Sequence, residues 1–417
     1  FSDDVQAWQA GILSCCLPLL LPIGFLALPD ALLCLAALLC LDAALRLLQK
    51  SSALDCFQLA IGLLIGANTH YRFLIILFAG AMGFILAGGL RRSRDLGFLL
   101  AIVVGICGWL PLFFYNQQHD FAGWQFQFHD RNPWQFSSRG FGHLPIQAIV
   151  TTPVLYAALL WGLWQTFRKW RQGAQRMGLV FASAGIPVIL YTVLALFVDQ
   201  VRTSFHWPLQ ALLVLIAVLP FLLSKNILQW HRKINGLLVI SGLAGVSITF
   251  AYFLLAAVPA MSGVLAGRKI YPDNFVGWNE VSKATKALLG KEEILVADNF
   301  MLAAQLRFSL AGERDVYVLD HPLNRKHGRA RQLQDWNVDG NALMRLEKGT
   351  PVVLVIEETA TKQWQRDKWR ARLCTQFNSL KFESMVYGPG KGKSFSIFRA
   401  RLGSEPGHSC DTKVPEP

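Results

Sequence analysis

The sequence predicts an α-helical polytopic membrane protein with a small C-terminal α/β domain. Of its 417 residues, 53% are hydrophobic and only 16% charged, whereas a water-soluble domain carries roughly a quarter charged residues. The charge is also unevenly placed. Residues 1–260 hold 16 Lys and Arg, 9 Asp and no Glu, while residues 261–417 hold the other 24 basic and 18 acidic side chains. Finally, the apolar part divides into runs of about twenty residues, the length a helix needs to cross the hydrocarbon core. A transmembrane region over 1–260 and a water-exposed region over 261–417 follow, the second ending in a disordered tail.

The candidate spans are Ala10 to Leu28, Ala31 to Leu48, Leu96 to Tyr115, Leu144 to Thr166, Met177 to Val198, Trp207 to Leu223 and Gly236 to Ala260. Phe57 to Gly89 is too long for one helix and is interrupted by Asn68-Thr69-His70-Tyr71-Arg72. It reads as two helices meeting at a polar apex, which brings the total to about nine spans. The net charge of +13 does not point to nucleic acid. Its excess sits in short clusters between apolar runs: Arg46 and Lys50; Arg91, Arg92 and Arg94; Arg168, Lys169, Arg171 and Arg176; Lys225, Arg232 and Lys233. That is the pattern of cytoplasmic loops.

With these clusters inside, four polar connections and the C-terminal region fall on the opposite face. The connections are the turn Pro29-Asp30, the apex Thr69 to Arg72, the loop Asn116 to Gly142, and Asp199 to His206. Ionisable side chains at membrane depth are costly unless they face a bundle interior or a wet cavity. Asp30, His70, Arg72, Asp130, Arg131, Arg202 and His206 therefore form a candidate polar ring. The plainer reading is that Asp30 caps the helix beginning at Ala31 and Arg72 snorkels to the headgroups. The loop adds aromatics alternating with polar groups (Phe121, Trp124, Phe126, Phe128, Trp134, Phe136). These suit a membrane interface or a site for a lipid-linked, polar-headed substrate.

Several strings together resemble the bacterial family 39 glycosyltransferases. They are Leu28-Pro29-Asp30-Ala31-Leu32, Thr69-His70-Tyr71-Arg72-Phe73, Asp130-Arg131-Asn132-Pro133-Trp134-Gln135-Phe136 and Phe205-His206-Trp207-Pro208. The C-terminal region adds Asp298-Asn299-Phe300 with Ala303-Ala304-Gln305-Leu306, and Gly328-Arg329-Ala330-Arg331-Gln332 followed by Asp335-Trp336. The family consists of GT-C membrane enzymes related to protein O-mannosyltransferases and to the aminoarabinose transferase acting on lipid A. The resemblance implies a GT-C-like fold in the bacterial inner membrane, with the C-terminal domain in the periplasm. It also implies transfer, with inversion, from a polyprenyl-phosphate sugar to a lipid or protein acceptor. On that likeness Asp30 is the catalytic candidate, orienting the acceptor or pairing with a site cation, and His70, Tyr71 and Arg72 match a segment that meets the donor phosphate. Asp130, Arg131, Arg202 and His206 complete the expected substrate-binding set.

Two departures accompany the likeness. The family's main catalytic carboxylate lies in a first external loop for which this sequence shows no counterpart, and Asp3 and Asp4 fall on the cytoplasmic side. With Phe as first residue, the expectation is a chain whose natural start lies upstream. Asn132 stands where relatives often carry a His, and Asn is a poor transition-metal ligand. No metal site or definite cofactor is expected, and a divalent cation is left open. A transporter or flippase of lipid-linked saccharides is the alternative, though no internal repeat of the kind transporters carry is visible. An assembly subunit whose C-terminal region recruits partners is a third reading.

In the C-terminal region, Ile294 to Asp298 and Val316 to Leu319 read as strands flanking a helix over Asn299 to Ala311, and Pro351 to Glu357 and Ser394 to Arg399 are further strand-like runs. Gly388 to Ser394 lacks the strand entry and helix opening of a phosphate-binding loop and reads as a hairpin turn. Six cysteines lie in or beside spans as small apolar residues. Cys374 and Cys410 fall on the oxidising side, where a disulfide between them is open.

Overall fold

The computed structural model describes residues 4–26, 28–130, 134–197, 204–226, 231–258, 260–261, 268, 271, 273–361 and 363–403. Two compact units divide the chain, Phe1–Phe250 and Ala251–Pro417. The C-terminal stretch 404–417, expected to be disordered and containing Cys410, lies outside the described residues.

The first unit is helical. It runs through α1 (Asp4–Cys15), α2 (Leu20–Phe25), α3 (Asp30–Leu47), α4 (Ala53–Thr69), α5 (Phe73–Leu86), α6 (Leu96–Cys107) and α7 (Leu110–Gln118). After the short α8 (Ala122–Gln125) come α9 (His143–Thr151), α10 (Pro153–Arg171), α11 (Gln175–Leu194), α12 (Leu209–Asn226) and α13 (His231–Ala257). Local chemistry sets many of the ends. The Ser52 hydroxyl accepts the Asp55 N–H to start α4, and the Asp95 carboxylate accepts the Phe98 N–H to start α6. Gly88, at a φ of 77°, closes α5 in the left-handed conformation that suits glycine.

By length and apolarity, three helices suffice to cross a membrane: Leu96–Gln118, Gln175–Leu194 and His231–Leu255. A fourth is reached if the bent pair Ser138–Thr151 and Pro153–Arg171 counts as one. Among the described residues, shorter apolar helices (Ala53–Thr69, Phe73–Leu86 and Leu209–Ser224) occupy other runs counted among the nine expected spans, and two further runs are divided by backbone chemistry. The run from Leu144 to Thr166 is not one helix. It bends by 112° at Thr152, whose φ of 71° is rare for a β-branched residue, and Pro153 starts the next helix without an N–H to donate. The run from Ala10 to Leu28 is likewise cut into α1 and α2 around Pro18.

Helix α12 forms the centre of the bundle. Leu209, Leu212, Leu215, Ile216 and Leu219 are fully buried against α1, α3, α10 and α11. A helix apolar on every side needs such surroundings. A second apolar cluster joins α3, α4, α5 and α6 through Leu33, Leu59, Leu63 and Phe73. This clustering brings the start of α3 beside the α4–α5 turn.

The second unit holds α14 (Trp278–Leu288), β1 (Ile294–Ala297), α15 (Phe300–Ser309), β2 (Val316–Val318), α16 (Pro322–Lys326), α17 (Ala330–Asp335), α18 (Gly340–Met344), β3 (Pro351–Glu357), α19 (Gln363–Leu373), β4 (Phe377–Tyr387) and β5 (Ser394–Leu402). The sheet order is β2-β1-β3-β5-β4. Strands β1, β2 and β3 are parallel, and β5 and β4 add antiparallel. Val281 of α14 and Leu302 and Leu306 of α15 cover one face, while Leu343 of α18 and Leu373 of α19 cover the other. Burial on both faces explains why β3 is almost continuously apolar. Gly388–Ser394 joins β4 to β5, with Gly390 at a φ of 79°. Cys374 is disulfide-bonded.

Helices α5 and α11 pack closely enough that a Cβ on Gly83 would lie 2.9 Å from the Leu179 Cα and carbonyl oxygen, whereas Gly80, one turn earlier, faces open space. Gly83→Val is expected to destabilise the detergent-solubilised protein by about 1–3 kcal/mol, with Gly80→Ala tolerated. Equal unfolding temperatures for the two variants would contradict the close packing.

Candidate functional site

Asp30 opens α3 and is 1% exposed. The N-cap position, where a carboxylate commonly turns onto the helix's own N–H groups, is held by Pro29, and Asp30 is the first helical residue. The carboxylate instead faces the α4–α5 turn. Nη1 of Arg72 donates to its Oδ1 at 2.7 Å and Nη2 to its Oδ2 at 3.0 Å, a two-pronged ion pair. His206 Nε2 stands 3.7 Å from Oδ2, and the guanidinium lies 5.8 Å from the centre of the Trp207 ring. Three of the sequence candidates, from positions far apart in the chain, thus meet on one carboxylate.

The turn itself is built around His70 and Tyr71. His70 Nδ1 accepts the Arg72 N–H, fixing the backbone from which the guanidinium projects. Asn116 Nδ2 donates to the Tyr71 hydroxyl at 2.7 Å, and Asn116 Oδ1 accepts the Trp124 N–H. Burial raises the Tyr71 phenol above its ordinary value, against the opposing effect of the Asn116 bond, so Tyr71 is protonated at neutral pH. Its ring meets Trp124 and Phe128 edge-on. Next to these groups lies a cavity of about 170 Å³ lined by His70, Tyr71, Arg72, Phe128, Trp134 and Trp207, among others.

The other candidates fare differently. Asp130 ends the turn Phe126–Asp130, is exposed, and does not line this cavity, so the structure does not bring it into the cluster. Arg131 and Arg202 lie outside the described residues, as does Asn132. Residues absent from the sequence-based set also take part. Asn116 orients Tyr71, Trp207 stacks near Arg72, and Tyr191 packs on Trp207 at 5.6 Å. Gln147 Nε2 donates to the Phe205 carbonyl, holding the segment that carries His206. The available signal for Asn116 was its place at the end of an apolar run, and for Gln147 a lone amide inside one. Among the described residues, no three His, Cys, Asp or Glu side chains are grouped to hold a metal ion.

Chemically, the cluster offers a carboxylate held by a planar cation, a histidine beside that carboxylate, and aromatic walls. Such a set can receive an oxyanion on the guanidinium side and orient a hydroxyl on the carboxylate.

No protein-family model matches the chain, and no curated protein matches it. Among solved structures, the chain is similar to the crystal structure of ArnT from Cupriavidus metallidurans bound to undecaprenyl phosphate. The identity is 13% and the TM-score 0.42, over 88% of this chain and 83% of that one. A likeness at that level assigns neither family nor activity.

Removing one partner of a buried pair strands the other charge, which costs about 3–5 kcal/mol. Arg72→Ala is therefore expected to destabilise the protein by about that much, and Asp30→Asn combined with Arg72→Met by clearly less. Thermal unfolding in detergent measures both. A double variant as unstable as the sum of its parts would show that the two groups act independently.

Proposed function

We propose that the chain is a membrane glycosyltransferase that moves a sugar from a polyprenyl-phosphate donor to an acceptor hydroxyl with inversion. The observation that supports this most directly is the buried Asp30 carboxylate gripped by Arg72, with His206 beside it and the aromatic-lined cavity at the α4–α5 turn. The order of motifs around these residues agrees with the resemblance to family 39 glycosyltransferases.

In the reaction the acceptor oxygen attacks the anomeric carbon from the face opposite the phosphate. The bond between that carbon and the phosphate oxygen breaks, and its electron pair leaves with polyprenyl phosphate. Arg72 and the neighbouring His70 take up the charge that grows on the departing phosphate, where fixed donors contribute most. Asp30 holds the guanidinium and receives or orients the acceptor proton. Tyr71 and the aromatic loop pack against the sugar and the lipid–water boundary. Arg131 and Arg202 are proposed as further substrate contacts. The basic clusters support a cytoplasmic position for their loops, and the disulfide-bonded Cys374 suits an oxidising periplasm for the second unit. The acceptor class within this reading is a lipid, such as lipid A or another glycolipid, or a protein.

The alternative, translocation of lipid-linked saccharides, draws support from the 112° break between α9 and α10, since transporters build sites from discontinuous helices. One experiment separates the two. Membranes containing the protein are supplied with radiolabelled polyprenyl-phosphate sugars, and label is followed from donor to acceptor. Wild-type protein transfers it, and Asp30→Asn and Arg72→Ala each lower transfer about 10²–10³-fold, the scale seen when one charge-stabilising donor is removed. Undiminished transfer in both variants removes the proposed site, and movement of intact donor without transfer supports translocation.

A further inference from the structure

The second unit contains a cavity of about 380 Å³ at the carboxyl ends of the parallel strands. Its walls come from the segment after β2 (His321, Lys326), the segment after β3 (Ala360, Thr361) and one face of α19 (Lys368, Trp369, Arg372). In open α/β sheets the crevice outside the carboxyl ends of the strands is the usual place for a ligand, especially where the strand order reverses. Here the chain steps from β1 to β2 on one side and returns to β3 on the other. The volume falls in the range of small-ligand sites.

We propose that this cavity binds a phosphate-bearing ligand, a binding site separate from the transfer chemistry assigned to the first unit. Its polar lining consists of hydrogen-bond donors. Lys368 and Arg372 stand four residues apart on α19, so they share a face, and Lys326 reaches in from the end of α16. Among the described residues none of these three cations is in an ion pair, because the nearby carboxylates are matched elsewhere. Glu357 pairs with Lys393 at 3.1 Å, Glu358 with Arg370 at 2.8 Å, and Asp320 with Arg325. Among the described residues, no Asp or Glu lines the cavity.

Two neutral donors complete the set. The indole N–H of Trp369 is buried without an acceptor among the described residues. A buried donor left unpaired is uncommon and calls for a partner. His321 is buried, and that burial pulls its pKa down to about 4 against the opposing pull of Asp320, so the ring is neutral. Its Nδ1 accepts the Leu323 N–H, which places the ring proton on Nε2. Nε2 then donates to the Thr361 hydroxyl oxygen at 3.0 Å, so the hydroxyl's own hydrogen can turn to a ligand oxygen. Cations and neutral donors without a carboxylate match an anion rich in oxygen acceptors, and a phosphate group supplies several around one centre. The phosphate can belong to a free sugar phosphate or to a lipid headgroup.

The test is calorimetric titration of the full-length protein in zwitterionic detergent with three probes: inorganic phosphate, glucose 1-phosphate and dihexanoyl phosphatidic acid. Saturable binding is expected for at least one of them. It weakens at least tenfold in Lys368→Ala/Arg372→Ala and several-fold in Trp369→Phe, which removes the indole N–H and keeps an aromatic ring. The double variant alters exposed side chains of α19, while Trp369→Phe keeps an aromatic ring against the core, and an unchanged unfolding temperature verifies that both fold. Tighter binding of glucose 1-phosphate identifies the free sugar phosphate as the ligand type, and tighter binding of dihexanoyl phosphatidic acid the lipid headgroup. If no probe saturates, or if well-folded variants bind as wild type does, the proposal is wrong. Lys368→Ala/Arg372→Ala, which leaves the first unit untouched, is expected to transfer sugar as wild type does, so loss of transfer and loss of phosphate binding are read separately.

Discussion

The ion pair between Asp30 and Arg72 is the constraint around which the first unit is arranged. A carboxylate with 2% of its side chain exposed and a guanidinium with 12% exposed have each surrendered most of their hydration, which costs several kcal/mol per ion. Neither is tolerable there without the other. The pair joins residues 42 positions apart and so fixes the start of α3 against the α4–α5 turn. Its two-pronged geometry sets direction as well as distance, because both oxygens of the carboxylate are engaged. His206, Trp207 and the Tyr71–Asn116 pair then occupy the space around a fixed point.

This explains which parts of the site were legible in the sequence. Asp30, His70, Arg72 and His206 stand out because ionisable groups are scarce in residues 1–260, and scarcity at membrane depth is a physical signal. Asn116, Tyr191, Trp207 and Gln147 carry no charge and act through hydrogen bonds or ring packing that only the tertiary structure creates. Asp130 shows the opposite failure. It has the charge and the aromatic neighbours, yet it is exposed at the end of a turn. Both plainer readings give way to one observation: Pro29, not Asp30, holds the N-cap position, and the Asp30 carboxylate and the Arg72 guanidinium engage each other.

Element boundaries divide in the same way. The polar apex over 68–72 marks a real turn between α4 and α5, since an apolar run rarely tolerates five polar residues without leaving the helix. The break at Thr152–Pro153 is hard to read because Thr151-Thr152-Pro153 is flanked on both sides by apolar residues, although proline restricts the residue before it. In the second unit β1, β2 and β3 are legible as short β-branched runs. Strand β4 is not, because Phe377–Tyr387 mixes polar and apolar residues on an edge with two register shifts.

The two units use charge in opposite ways, and this bears on the transfer proposed for the first. In the second unit Lys393 is buried among Glu357, Trp278 and Phe395, with its ammonium 3.5 Å from the centre of the Trp278 ring. There the pairing locks a polar network into an α/β core. The Asp30–Arg72 pair differs because it borders a cavity. As a neutral pair it offers little net attraction to a phosphodiester, whose single charge is spread over its oxygens. In the proposed transfer, the phosphate gains a second charge as the anomeric bond breaks and competes for the guanidinium. Whatever hold Arg72 relinquishes on Asp30 at that moment makes the carboxylate a stronger base, just when the acceptor hydroxyl must lose its proton. A pair that is matched in the resting state and divided in the transition state couples the two halves of the reaction. It also favours the transition state over the bound substrate, which is what acceleration requires.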